Sequence, residues 1–262
     1  MAAEHITDRE ELRRFLMKDR LANAYLLGNL DPSYFQFCKW FGLRDGQNEL
    51  ENLALLYTGL SLPVVFVVGN SARIEELLRS CRADLPSRFH FHVLEEQMTE
   101  IHGIFEPTNF HRMIRMGLQR SAYHQTDSPT LASIEVERLG HRDTLAIMDL
   151  YQHYPDNFFE PYQLETGLYF GVRDPDIGLA SIAGIHVFSE EHDVAVIGNF
   201  VTHPRRRGQG LATACTARLL GELFGRVSFV ALNVQENNAP AIRMYSNFGF
   251  EKNNFFYEGR CA

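Results

Sequence analysis

Residues 197–223, IGNFVTHPRRRGQGLATACTARLLGEL, are the stretch of this chain in which residue types and spacing point to chemistry with an anion. An apolar strand runs into a turn of arginines and glycines, and a helix follows with Leu211, Cys215, Leu219 and Leu223 on related faces. Gly208 and Gly210 have no side chains, so backbone N–H groups can approach a phosphate closely, and the unpaired donors at the helix start point the same way as its dipole. Arg205, Arg206 and Arg207 add positive charge. The turn departs from both nucleotide fingerprints: it lacks the P-loop Lys-Ser/Thr pair, and the third glycine and acidic residue of a dinucleotide fold. Taken alone, it also reads as an Arg-rich solvated corner. A second stretch, residues 232–250, LNVQENNAPAIRMYSNFGF, again reads as strand and then helix, with Asn238 near the helix cap and Tyr245 two turns later.

Together the two stretches closely resemble the GNAT superfamily of N-acetyltransferases. The family's turn pattern, Gln/Arg-x-x-Gly-x-Gly/Ala, is matched by Arg207, Gly210 and Ala212 after a strand ending at Pro204. Its later pattern is matched by Asn238, Ala241, Tyr245, Gly249 and Phe250. The resemblance covers roughly residues 133–260 and looks closest to the glycine N-acyltransferase-like branch, which segment 167–204 also resembles. Tandem members of that branch carry two copies of the fold. The amino-terminal half is therefore expected as an α/β domain that could be a degenerate copy, although no second R-x-x-G-x-G occurs in residues 1–130.

The resemblance implies a role for each matched position. Acyl-coenzyme A would lay its pantetheine amides along Phe200, Val201 and Thr202 like an added strand. Gly208, Gln209, Gly210, Leu211, Ala212 and Thr213, following Arg207, would offer N–H groups to the pyrophosphate, and Asn238 would contact the pantetheine arm. Tyr245 would protonate the departing thiolate; the plainer reading of Tyr245 is a half-buried tyrosine anchoring its helix. The implied reaction is transfer of an acyl group, acetyl being expected, from acetyl-CoA as co-substrate to a primary amine of a small molecule, amino acid or peptide. Many members place a glutamate base on the strand before the second helix. Here that position is Asn233, which cannot be a base, and the central strand has Val196, Gly198 or Asn199 instead. His186 is the candidate base, because strand 179–188 should lie beside the central strand and an imidazole titrates in the useful range. A strand histidine with a satisfied hydrogen bond is the bland alternative, and Glu160, Glu165 and Glu190 are weaker candidates. The competing reading is a non-catalytic acyl-CoA sensor or regulatory protein, in which the missing glutamate marks lost chemistry.

The elements that must hold these residues can be read from apolar spacing and turn signals. In the amino-terminal half, one or two helices are expected within 8–30, with Thr7 as cap. Strands follow at 50–58 and 62–68, then a helix at 71–82, and strands at 89–94 and 110–118 around a short helix near 95–102. HQTDSPT at 124–130 reads as a linker, giving an amino-terminal domain over 1–128 and an acetyltransferase domain over 129–262. The second half predicts strand 133–139, helix 142–152, a loop around 155–165, strands 168–173, 179–188 and 194–202, helix 209–223, strand 227–234, helix 239–247 and a last strand near 254–259. The expected class is α/β with a mixed sheet.

Composition narrows the partners. The 262 residues are 45% hydrophobic and 22% charged, with a formal charge of −8, which disfavours nucleic acid and anionic membranes. Cys38, Cys81, Cys215 and Cys261 form no C-x-x-C pair, the first residues are too charged for a signal peptide, and no apolar run reaches a membrane span. A soluble, cytoplasmic protein is expected, and a homodimer stays open. His90 and His92 share one face of a strand but lack a nearby third ligand, so no metal is expected. The aromatic clusters Tyr34, Phe35, Phe37, Trp40, Phe41 and Tyr151, Tyr154, Phe158, Phe159, Tyr162 could line a substrate pocket or pack between domains.

Overall fold

A computed structural model describes residues 3–125, 129–155, 157 and 159–261. Positions 126–128 of the expected linker, with the expected 128/129 cut, and Phe158 of the second aromatic cluster lie outside the described residues. In chain order the strands are β1 (Glu4–His5), β2 (Cys38–Arg44), β3 (Leu50–Tyr57), β4 (Val64–Gly69), β5 (Phe89–Leu94), β6 (Pro107–Gln119), β7 (Glu137–Arg138), β8 (Phe170–Asp174), β9 (Gly178–Ser189), β10 (Val194–Thr202), β11 (Phe229–Gln235) and β12 (Glu251–Cys261). The chain packs as two compact units. The first comprises Met1–Met116, Asn233–Asn238 and Lys252–Ala262, and the second Gly117–Leu232 and Ala239–Glu251. Chain order and packing therefore part company at the carboxyl terminus, where most of β12 completes the first unit.

In the first unit β1 to β4 pair antiparallel, β4 and β5 pair parallel, and β12 pairs antiparallel with β5. Parallel neighbours need a crossover, and the helix Ile74–Cys81 supplies it. That helix buries Ile74, Leu77, Leu78 and Cys81 against Leu43, Leu56, Val65, Val67, Phe89 and Phe91. β5 alternates as its sequence requires: Phe89, Phe91 and Val93 are buried, while His90 and His92 face the other way.

Three local expectations are corrected here. Asp8, not Thr7, caps the first helix, Arg9–Leu16, because its carboxylate accepts the N–H groups of Glu10 and Glu11. The first aromatic cluster hides a strand that its mixed polarity obscured: Trp40 and Phe41 are buried within β2, so these two rings serve as core. Strand 133–139 shortens to β7, with Leu139 tied to its neighbour through its N–H and Tyr169 O.

The second unit repeats the same order of events. β7, β8, β9 and β10 pair antiparallel, and β10 and β11 pair parallel from Val194↔Phe229 to Ile197↔Leu232. Helix Leu211–Leu223 makes the crossover and buries Ala214, Cys215, Thr216, Leu219, Leu220 and Leu223. An apolar stripe of that width is what a helix covering one face of a sheet needs.

Candidate active site

The site begins with an irregularity in β10. Between the pairs Gly198↔Gly184 and Val201↔Ile182, β10 has two residues, Asn199 and Phe200, where β9 has only Ala183. This is a bulge, which bends a strand and re-aims its groups. Asn199 takes the left-handed conformation, with φ 58°, and asparagine tolerates it better than most residues. Its Nδ2 donates to Tyr169 Oη at 2.6 Å and to Gln163 Oε1 at 3.1 Å, and Tyr169 Oη donates onward to Ile185 O at 3.1 Å. Tyr169 is fully buried, and its ring occupies the place a Cβ at Gly184 would take. The bulge is thus locked by a buried polar network.

The ladder to β11 ends at Ile197, just before the bulge, so among the described residues Gly198 to Thr202 have no β11 partner. Their other edge remains tied to β9, with Ser181 Oγ 2.8 Å from Thr202 Oγ1. Thr202 O is already taken by the Tyr154 hydroxyl.

The chain then turns. Arg205 N–H donates to His203 Nδ1 and Arg206 N–H to His203 O, but among the described residues the N–H groups from Gly208 to Thr213 have no acceptor. Gly208 and Gly210 have φ of 74° and 79°, a conformation that admits glycine without penalty. Gly210 is the N-cap of helix Leu211–Leu223 and can offer no side-chain acceptor. The result is a row of donors without acceptors among the described residues at a helix N-terminus, an arrangement that favours an anion.

The three arginines, each expected to add positive charge, are not equivalent. Arg206 is bound to Asp174 at 2.6 and 3.0 Å and to Asp176 at 3.2 Å, and holds the Asp174 carboxyl down to about 2. Arg207 donates to Tyr154 Oη at 2.8 Å while its guanidinium lies over that ring. Tyr154 thereby links the turn to the end of β10. Arg205 stays exposed.

Tyr245 lies in helix Ala239–Asn247 and is 4% exposed. Its ring meets Phe200 edge-on at 5.6 Å and Phe250 at 5.8 Å. Burial pushes its phenol well above the ordinary tyrosine value. His186 lies against the central strand: a Cβ at Gly198 would fall 1.9 Å from its Nε2. Burial pushes its imidazole down to about 4, so it is neutral at pH 7 and a weak proton acceptor. Asn233 Oδ1 accepts from Arg115 Nε at 3.1 Å. Asn238 is exposed, with its N–H on Gln235 O at 3.0 Å, and it packs with the first unit. Glu190 pairs with Arg226, Glu160 donates its N–H to Gln163 Oε1, and Glu165 is exposed.

Within the second unit the structure therefore joins Phe200 with Tyr245, His186 with Gly198, and residues 207–213 in one turn. Sequence reasoning missed Gln163, Tyr169 and Tyr154 as positioning residues. The available signal was an asparagine and paired glycines inside apolar strands, which mark bulges or close approaches. Of the second aromatic cluster, Tyr151 is buried beside Phe159 and Tyr162 is about a third exposed. Among the described residues no three His, Cys, Asp or Glu side chains gather as a metal site, and no helix is long and apolar enough to cross a membrane.

Comparison with known proteins adds sequence and fold evidence. The model of the Acetyltransferase (GNAT) family matches residues 136–250. Mycothiol acetyltransferase of Thermobifida fusca (strain YX) is 29% identical over 154 residues, and the match covers 53% of this chain and 43% of that relative. The chain thus spans less than half the length of that curated relative. Among solved structures, a Drosophila protein superposes with a TM-score of 0.76 at 13% identity, covering 100% of this chain and 98% of the other. A tandem GNAT protein from the clavulanic acid biosynthesis pathway gives 0.58 at 15% identity, covering 99% and 97%. A GCN5-related N-acetyltransferase from Kribbella flavida gives 0.63 at 15% identity, covering 95% of each chain. At these identities the structural likeness speaks for the fold alone.

Proposed function

We propose that the chain is an acetyltransferase of the GNAT superfamily, whose family model matches residues 136–250, and that it moves an acetyl group from acetyl-coenzyme A to a primary amine of a small molecule, amino acid or peptide. The observation that carries this reading is the row of acceptor-free N–H groups from Gly208 to Thr213, directly after a strand whose edge lies open from Gly198. A diphosphate satisfies the first and an amide-bearing arm, laid along Phe200, Val201 and Thr202, satisfies the second. Arg207 steadies the turn through Tyr154.

In the chemical step the amine lone pair attacks the thioester carbonyl, the carbon–sulfur bond breaks, and the sulfur takes a proton from Tyr245. Strand N–H groups freed at the bulge polarise the carbonyl. Tyr245 suits the acid role because burial keeps its phenol protonated and its hydroxyl makes no hydrogen bond among the described residues. His186 is the proposed acceptor of the amine proton. Its depressed basicity favours an amine that arrives neutral, so that the proton is lost only after attack, directly or through water.

Titration calorimetry with coenzyme A, followed by thiol release from acetyl-coenzyme A across an amine panel, tests the proposal. Tight binding that Gly210→Trp abolishes, with amine-dependent thiol release, is expected. Binding without release under any amine would favour the acyl-CoA sensor, a reading supported by Asn233 standing where a carboxylate base is expected. No affinity for coenzyme A would remove both readings.

A further inference from the structure

The first unit has its own fork. β4 and β5 pair in parallel from Val64↔His90 to Phe66↔His92 and no further. Past that point lies a cavity of about 220 Å³, lined by Val68 and Leu94 of the two strands, by Leu26, by Phe256 of β12 and by Arg115 of β6. Every one of these residues belongs to the first unit.

Arg115 is the unusual member. It is 6% exposed. Its Nε donates to Asn233 Oδ1, its Nη1 donates to Ala22 O, and its guanidinium lies over the rings of Phe256 at 4.6 Å and Tyr25 at 5.5 Å. Nη2 makes no hydrogen bond among the described residues, yet it is not sealed from space as an orphaned buried atom. No carboxylate among the described residues reaches ion-pair distance of this guanidinium; Glu258 and Asp19 act on it only through longer-range attraction, while burial lowers its proton affinity. A buried cation without a contacting anion is costly. An anion entering the cavity is the missing partner. Lys18 also lines the cavity, its ammonium over the Phe15 ring, and Asp19 is engaged in accepting Ala22 N–H at 2.9 Å.

The size and corner chemistry decide which anion. The strand-to-helix corner after β4 is already satisfied, because Asn70 Oδ1 accepts Ala72 N–H and Arg73 is bound by Glu51 and Glu76. A diphosphate has nothing to bind there. Apart from Arg115, Lys18, Asp19, Asn23 and His92 the walls are apolar, and the volume holds roughly seven atoms at ~30 Å³ each. We propose that this cavity binds a small monocarboxylate with an apolar tail, its carboxylate on Arg115 Nη2 and its tail against Leu26, Val68 and Phe256. The site stands apart from the acyl-transfer reading, since it uses none of the same residues.

Calorimetry on the full chain, with hexanoate as probe and 1-hexanol and hexylamine as controls, tests it. One hexanoate binds per chain, and the alcohol and amine bind at least ~10-fold more weakly, as loss of a charge-assisted hydrogen bond requires. Arg115→Met weakens hexanoate by ~10-fold or more. Val68→Trp fills the cavity and abolishes binding with far-UV dichroism and a cooperative urea transition retained, which decides the matter should Arg115→Met fail to fold. Saturating coenzyme A leaves hexanoate affinity unaltered. Equal affinity for acid and alcohol, full binding by Val68→Trp, displacement by coenzyme A, or no binding at about 10 mM would each overturn the proposal.

Discussion

Tyr245 and His186 are both desolvated, with opposite consequences for protons. Burial raises the phenol's pKa and so keeps Tyr245 an acid throughout the pH range in which an enzyme is assayed. Tyr245→Phe should lower kcat on the order of 10²-fold with coenzyme A affinity unchanged, as single-turnover and calorimetric measurements would reveal; unchanged turnover removes the acid role. For His186 burial disfavours the cation, so its folded pKa of about 4 lies below the ~6.5 of the unfolded chain. The unfolded state then takes up the proton first as pH falls. Stability is complete above pH ~6.5 and declines toward pH 4, by up to roughly 3 kcal/mol. Urea unfolding at pH 7 and pH 4.5 should show a smaller loss for His186→Gln than for the native chain. Equal losses would mean the imidazole protonates freely in place.

The decisive element is the bulge in β10. Asn199 has a positive φ and a side chain that reaches Tyr169 and Gln163, so two substitutions separate these contributions. Asn199→Gly keeps the backbone freedom and loses the bonds. Asn199→Ala loses both and should be less stable than the glycine variant by roughly 1 kcal/mol, measured by urea midpoint at constant slope. The turn supports a parallel comparison. At Gly208 a Cβ meets open space, whereas at Gly210 it meets Leu131 at 3.1 Å. Gly210→Ala should therefore weaken coenzyme A more than Gly208→Ala, though both carry the cost of a positive φ. The turn around Gly208 and Gly210 was legible because a positive φ favours glycine at both positions. The bulge was not, because one extra residue in a strand leaves the alternation of apolar residues almost intact.

At the scale of the whole molecule, the two units repeat one plan: antiparallel strands, a crossover helix and one parallel pair. Their chemistry differs at the corner. In the second unit Gly210 leaves the helix donors open, and in the first Asn70 closes them. The carboxyl terminus also has a structural task, since β12 pairs with β5 from Phe256↔Leu94 to Cys261↔Phe89. A chain ending at residue 251 should lose hydrogen-exchange protection in 89–94 before it loses any in 194–197. Uniform loss would show that the two units unfold as one.

The linear chain by itself determined the α/β class, most helix and strand positions of the second half, and the glycine turn, because periodicity and the demand for glycine are local properties. Only the tertiary structure decided that Arg206 is spent on Asp174, that Asn199 belongs to a locked bulge, that β2 exists, and that Arg115 lacks a contacting carboxylate. Those facts depend on which distant residues meet, and burial and pairing between them have no signature in spacing along the chain.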